Sequence, residues 1–176
     1  MEKNLSYWKI AGFVFTSALG TFLHFLFDLT GGNVMAGLFS AVNESIWEHM
    51  KLIYYPMVIF AILECYFIGR NKSEFWCVKL MGVLLALIII PLLYYTYTGA
   101  LGVSADWFNI SIFFIAAGAA YWAEYRIFSQ TKVCRLGPGW SLAFIIGISI
   151  LFTVFTFSPP HIPLFRDPLT GYFGYQ

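Results

Sequence analysis

The sequence predicts an all-α integral membrane protein, a bundle of five transmembrane helices. Of its 176 residues, 60% are hydrophobic, 20% are aromatic and only 11% are charged. Globular proteins hold about 25% charged residues, and a soluble core of this size would need far more polar surface to cover it. Segments that cross a bilayer need roughly 20 mainly apolar residues each. The candidate spans are 7–27, 48–68, 78–97, 107–126 and 140–157.

The basic residues predict the orientation of the bundle, because lysine and arginine are enriched in cytoplasmic connections. One side carries only Lys51 and Arg166. We therefore expect one transmembrane domain in the plasma membrane, with a cytoplasmic N-terminus, an outer loop at 29–47 and an outer C-terminal tail at 158–176. The cytoplasmic set comprises Lys3, Lys9, Arg70, Lys72, Lys79, Arg126, Lys132 and Arg135.

The three cysteines fit this orientation. Cys77 and Cys134 fall in the predicted cytoplasmic connections, and Cys65 lies in the inner half of the second span. Disulfides are rare in the reducing cytoplasm, so we expect none.

Charge also limits the partners. The formal net charge is +1, which provides no basic surface for nucleic acid. The lipid bilayer is the predicted partner, together with a lipid-like substrate. The sequence leaves the oligomeric state open.

Ionisable residues are concentrated in the stretch GLFSAVNESIWEHMKLIYYP, which opens the second span. In a helical conformation, with about 100° per residue, its polar side chains form one continuous arc. This arc contains Glu44, Ser45, Glu48, His49 and Lys51. Two simpler interpretations remain open: a solvated helix end, or a helix capped by Asn43 with acids in its first turn.

Each of the three histidines lies near the predicted outer face. His24 is near the end of the first span, His49 opens the second, and His161 follows the last. Asp28 lies one turn after His24 on the same helix face, and Asp167 follows His161 in a tail that four prolines restrict. Ionisable groups at this depth are unfavourable unless they face the bundle interior or a polar cavity.

Three imidazoles with an open fourth position form a catalytic zinc site. We therefore predict that zinc is bound by His24, His49 and His161, with Asp167 as a further ligand. Asp28 would orient His24, Glu44 or Glu48 would act as general base, and Ser45 would contact substrate. The predicted function is a zinc-dependent hydrolase that acts on a lipid-like amide or ester at the outer face. The spacing matches none of the strong zinc motifs such as H-E-x-x-H.

Other functions remain open. A small transporter or channel component would gather a cation or proton on the outer acids and use Glu64 and Glu124 as inner relay groups. Haem between His24 and His49 would give an electron carrier. A non-enzymatic membrane subunit would use the small residues at 116–120 for close helix contact.

The segments NESIWEH (43–49) and HIPLFRDP (161–168) resemble the signature segments of a family of small bacterial membrane proteins of unknown function. Ser45 and His49, four residues apart, are also similar to a helix of the alkaline ceramidase and adiponectin receptor superfamily. In that superfamily the histidine binds zinc and the serine lies beside the metal. Its members have seven spans and a last helix with two histidines, where this chain offers only His161.

Overall fold

The computed structural model of the protein describes residues 2–69, 74–129, 134 and 136–175. The helices are α1 (Glu2–Leu29), α2 (Val34–Gly37), α3 (Ile46–Glu64), α4 (Phe75–Leu101), α5 (Asp106–Phe128) and α6 (Pro138–Phe157). A π-helical turn, Cys65–Gly69, continues α3, and a 3₁₀ turn, Pro163–Phe165, lies in the tail. Within the described residues there is no β-strand, only an isolated bridge between Arg166 and Phe173. The all-helical prediction is therefore confirmed.

Four helices in the described part of the chain are long and apolar enough to cross a membrane. They cover Asn4–Leu29, Ile46–Phe67, Phe75–Leu101 and Pro138–Phe157. These helices support a multi-pass protein in a lipid bilayer. Helix α5 occupies the predicted span 107–126, but polar residues such as Asn109 and Glu124 leave it outside this set. A count of five spans is therefore not established.

Helix α3 is the most deeply buried of the four candidate spans. It packs against α1 and α4, while α5 packs against both α1 and α4, and α6 packs against α4. Ile53 and Tyr54 of α3 are fully buried, and the Phe152 ring of α6 packs against the Tyr54 ring at a tilt. The long helices stay continuous through Pro56 and Pro91, since packed neighbours compensate for the lost backbone hydrogen bonds.

Four charged side chains meet in the interior and form the ion network of Lys9, Glu64, Lys79 and Glu124. They come from α1, α3, α4 and α5 respectively, and each is 5% exposed or less. The Lys9 Nζ lies 2.6 Å from Glu64 and 2.7 Å from Glu124. The Lys79 Nζ lies 2.6 Å from Glu124 and also pairs with Glu64. Two cations and two anions leave the network without net charge, which makes its burial tolerable.

This network corrects the sequence prediction for its members. Lys9 and Lys79 are buried in the bundle and are not surface charges of cytoplasmic connections. Glu124 pairs with these lysines, while its neighbour Arg126 lies over the Trp122 ring. The sequence carried a signal for this, because all four residues fall in or next to otherwise apolar segments, where charges are expected to pair.

The expectation of no disulfide is wrong. Cys77 in α4 and Cys134 in the connection between α5 and α6 form a disulfide, and Cys65 is free. The prediction considered only the redox compartment. It missed that the packing of α4 against α5 brings together two cysteines 57 residues apart in sequence. Most other basic residues assigned to this end (Arg70, Lys72, Lys132, Arg135 and the Lys3 side chain) lie outside the described residues.

We predict that Glu124→Gln lowers the free energy of unfolding by about 3 to 5 kcal/mol, because it leaves two buried lysines with one carboxylate. The measurement is the thermal unfolding midpoint in detergent. Arg126→Gln is the matched control, since this exposed side chain lies two residues away. Equal midpoints for the two variants would contradict a charge-balanced network.

Candidate metal centre

Helices α1 and α3 run antiparallel, and this arrangement brings His24 opposite His49. The two imidazole ring centroids are 5.3 Å apart. One turn before His24, Gly20 allows the close approach of the two backbones, because a Cβ at Gly20 would lie 2.5 Å from the Leu52 carbonyl oxygen. The predicted convergence of these two histidines is therefore present in the fold.

Glu44 supplies the third side chain of the cluster, and it does so from the loop that precedes α3. The helix begins at Ile46, and Ser45 is its N-cap, with a side-chain oxygen that accepts from the Glu48 N–H at 3.3 Å. Asn43 accepts from the Ser45 N–H and donates to the Gly174 carbonyl. The predicted Asn43 cap is thus corrected by two residues, and these bonds fix the backbone on both sides of Glu44.

The hydrogen bonding of His49 defines which ring nitrogen faces the cluster. Its Nδ1 lies 2.9 Å from the Ser45 carbonyl oxygen, which can only accept, so Nδ1 carries the proton. In a neutral ring the Nε2 lone pair then faces the Glu44 carboxylate at 3.4 Å. Two lone pairs at this distance repel unless a cation lies between them. A proton or a metal ion would meet this requirement.

The imidazole of His24 lies beside this pair. Its Nδ1 is buried and has no hydrogen-bond partner among the described residues. Within the described chain, His24, Glu44 and His49 form the group that could hold a metal, with ligand atoms within 4.8 Å of one another. Tetrahedral zinc with bonds of about 2.0 Å places its ligand atoms about 3.3 Å apart. The spacing of the three side chains is therefore close to that of a metal site.

The site is accessible from outside the protein. The side chains of His49 and Glu44 are 33% and 43% exposed. Two imidazoles and one carboxylate are a known ligand set of catalytic zinc, in which the fourth position holds water or substrate.

The structure gives Glu48 a different place from the one predicted. Its carboxylate is buried, lies 2.5 Å from the Lys51 Nζ and accepts hydrogen bonds from the Thr156 hydroxyl and the Val42 N–H. Lys51 also donates to the Gly37 carbonyl and to Thr156. The carboxylate is therefore fully occupied within the protein, so we no longer assign Glu48 as a general base. The solvated-helix interpretation also fails for this buried pair.

His161 and Asp167 do not join the cluster. His161 packs against the Phe173 ring in the tail. The Asp167 carboxylate accepts from the Leu169 N–H at 2.8 Å and from the Thr170 hydroxyl at 2.7 Å. The tail thus folds on itself, and the predicted three-histidine set becomes two histidines and Glu44.

Two further predicted site residues differ in their availability. The Ser45 hydroxyl is buried in its capping role and is not placed to contact a substrate. The Asp28 carboxylate is exposed and makes no hydrogen bond or ion pair with the described residues. Asp28 follows His24 by one turn of α1, so the two side chains lie on the same helix face.

The chain matches the Family of unknown function (DUF6512) over residues 1–175. It belongs to this family. Membership confirms the predicted resemblance to an uncharacterised family of this kind. No functionally curated protein and no solved structure matches the chain. The function must therefore be argued from the geometry of the site.

We predict that Glu48→Gln destabilises the protein much more than Glu44→Gln does. Glu48→Gln leaves Lys51 charged and unpaired in the interior and is expected to lower stability by about 3 to 5 kcal/mol. Glu44→Gln changes a half-exposed group and should stay within about 0.5 kcal/mol. Thermal unfolding of metal-free protein measures both, and equal losses would contradict the assignment.

Proposed function

We propose that this protein is a membrane-embedded metal hydrolase with zinc bound by His24, Glu44 and His49. The observation that carries the proposal is the convergence of these three side chains, with the His49 Nε2 directed at Glu44 by the Ser45 carbonyl. A metal-binding imidazole usually donates its other N–H to a carbonyl or carboxylate, as His49 does. The three ligands come from two packed helices and a capped loop, which gives a preorganised site.

Zinc held by His24, Glu44 and His49 would supply a water whose pKa is lowered to about 7. The exposed Asp28 carboxylate accepts a proton from the attacking water. The water oxygen forms a bond to the carbonyl carbon of an amide or ester, and the bond to the nitrogen or oxygen leaving group breaks. Protonated Asp28 then returns the proton to the leaving group. The substrate class follows from the position of the site at the end of apolar helices, where lipid-like acyl groups are within reach.

We also propose five spans, with the histidine end outside the cytoplasmic membrane. Helix α5 packs against α1 and α4, which gives it the same environment as its neighbours. Of the ten basic residues, eight belong by sequence to the opposite end, and six remain there when the buried Lys9 and Lys79 are subtracted. The histidine end offers only Arg166 as an exposed basic residue. The Cys77–Cys134 disulfide argues for the reverse orientation, so a direct measurement is needed.

A cation or proton transporter is the second candidate. Its relay groups would be Glu64 and Glu124, and both are buried as such a role requires. Each is paired with Lys9 and Lys79, which neutralise the charge that would attract a cation. The hydrolase is therefore the function that the geometry supports better.

We predict that purified protein equilibrated with zinc and desalted retains about one zinc per chain. His24→Ala and His49→Ala should each lose it, because two remaining ligands hold zinc weakly. Elemental analysis gives the stoichiometry. His161→Ala is the matched control and should keep its zinc, because His161 packs in the tail. Loss of zinc only in His161→Ala, or metal-free wild type, would contradict the site.

We predict that Asp28→Asn retains zinc but lowers kcat about 10²- to 10⁴-fold, the usual contribution of a general base. The assay is release of fatty acid from acyl ester and acyl amide lipids in mixed micelles. If the zinc is present and the wild type releases no fatty acid, the site binds metal without hydrolase activity. If Asp28→Asn is as active as the wild type, another group accepts the proton.

We predict that a C-terminal alkaline phosphatase fusion is active in bacteria and that a C-terminal green fluorescent protein fusion is dark. Phosphatase needs the oxidising side of the membrane, and the proposed orientation places the tail there. The reverse pair of results would place the histidine end in the cytoplasm.

A further inference from the structure

A second concave site lies at the histidine end, between α4 and the tail. Its volume is about 620 Å³. Its walls combine apolar and aromatic side chains with one imidazole and one guanidinium group. They include Ile46, Tyr94, Tyr95, His161, Arg166 and Phe173. None of the three metal-site residues lines it, so it is separate from the His24, Glu44 and His49 cluster.

Arg166 is a cation without a counter-ion in this site. Its guanidinium is exposed and has no carboxylate or carbonyl partner among the described residues. The adjacent Asp167 is the obvious partner, but its two oxygens are occupied by the Leu169 N–H and the Thr170 hydroxyl. Because the tail turn already supplies hydrogen bonds to the Asp167 carboxylate, the Arg166 guanidinium has no ion pair with it.

The same turn positions the Arg166 side chain. The tail reverses at residues 167–171, where Gly171 donates its N–H to the Asp167 carbonyl and adopts φ +79°. A Cβ at Gly171 would lie 3.4 Å from the Arg166 Nη2, so the glycine leaves the guanidinium room over the turn. His161 lines the same cavity and packs on Phe173, the bridge partner of Arg166.

A lipid-facing stripe of α4 leads into this cavity. Leu84, Ile88, Leu92 and Tyr95 are exposed, and their spacing of three and four residues places them on one helix face. Tyr95 is the last of them and also lines the cavity. A ligand with an anionic head at Arg166 can therefore lay an acyl chain along α4.

We propose that this cavity binds the headgroup phosphate of an anionic phospholipid, with Arg166 as the main anchor and His161 as a second hydrogen-bond donor. Arginine presents a planar fork of N–H groups that matches phosphate oxygens. Tyrosines at this level are typical of the bilayer interface. The continuity of the cavity with the α4 stripe favours a lipid over a free anion. The proposal does not depend on the metal site.

Native mass spectrometry of the delipidated full-length protein tests this binding. Phosphatidylglycerol and phosphatidylcholine are added separately at equal concentrations, and inorganic phosphate is then added as a competitor to the sample with phosphatidylglycerol. Wild type should retain phosphatidylglycerol over phosphatidylcholine, because the trimethylammonium group of the latter is repelled by the guanidinium. Arg166→Gln should lower phosphatidylglycerol retention about tenfold, and Arg166→Lys should restore part of it. Arg126→Gln, an exposed arginine at the other end, is the matched control and should bind as wild type does.

Three results would overturn the proposal. The first is equal retention of the two phospholipids by wild type. The second is a loss of phosphatidylglycerol retention in Arg126→Gln as large as that in Arg166→Gln, which would show that the lipid is attracted to any exposed cation of the protein. The third is displacement of phosphatidylglycerol by inorganic phosphate, which shows a site for free anions. Because Arg166 is exposed, unchanged thermal unfolding of Arg166→Gln should accompany its loss of lipid.

Discussion

The pairing of Lys9 with Glu64 is the interaction on which the arrangement of this bundle depends. It fixes the register of two antiparallel helices at one end, and the histidines meet at the other. Fifteen residues separate Lys9 from His24, and fifteen also separate His49 from Glu64. At 1.5 Å per residue each interval spans about 22 Å. A slip of one residue would break the ion pairs and rotate His24 by about 100° away from His49.

The ion network also explains why charges are retained in such an apolar protein. A buried pair adds little net stability over well-packed apolar residues, but a broken pair is strongly unfavourable. Lys79 and Glu124 extend this constraint to α4 and α5, so four helices share one point of registration. We interpret the network as a constraint that favours one unique packing of the helices, and the contact between His24 and His49 depends on that packing.

The local environment distinguishes carboxylates that look equivalent in the sequence. Glu44 and Glu48 are four residues apart in the sequence, yet one is half-exposed beside His49 and the other is buried against Lys51. Asp28 and Asp167 differ in the same way, since only Asp167 is bonded within its own turn. Glu44 and Asp28 are therefore the two carboxylates to which the proposed function assigns ligation and proton transfer.

Local patterns predicted the helices and the bilayer environment, because apolar run length and helical periodicity are properties of neighbouring residues. The predicted orientation placed His24 and His49 at the same face of the membrane, and the packing of α1 against α3 brings their rings together. The partners of Lys9 and the Cys77–Cys134 disulfide depend on which helices pack together, and a single sequence does not specify this. His161 was assigned to the metal because it follows the last span, but the hydrogen bonds of Asp167 fold the tail into a cavity of its own. Glu44 was recognised as part of the site, but as a base and not as a ligand.

Zinc-edge X-ray absorption on the zinc-loaded protein tests the central claim most directly, because it reports the ligand atoms themselves. The account predicts two imidazole nitrogens at about 2.0 to 2.1 Å, further light-atom scatterers for Glu44 and a solvent ligand, and no sulfur. One imidazole should disappear in His24→Ala while the spectrum of His161→Ala stays unchanged. Sulfur scattering at about 2.3 Å, or loss of an imidazole in His161→Ala, would contradict the assignment of His24, Glu44 and His49 as the metal site.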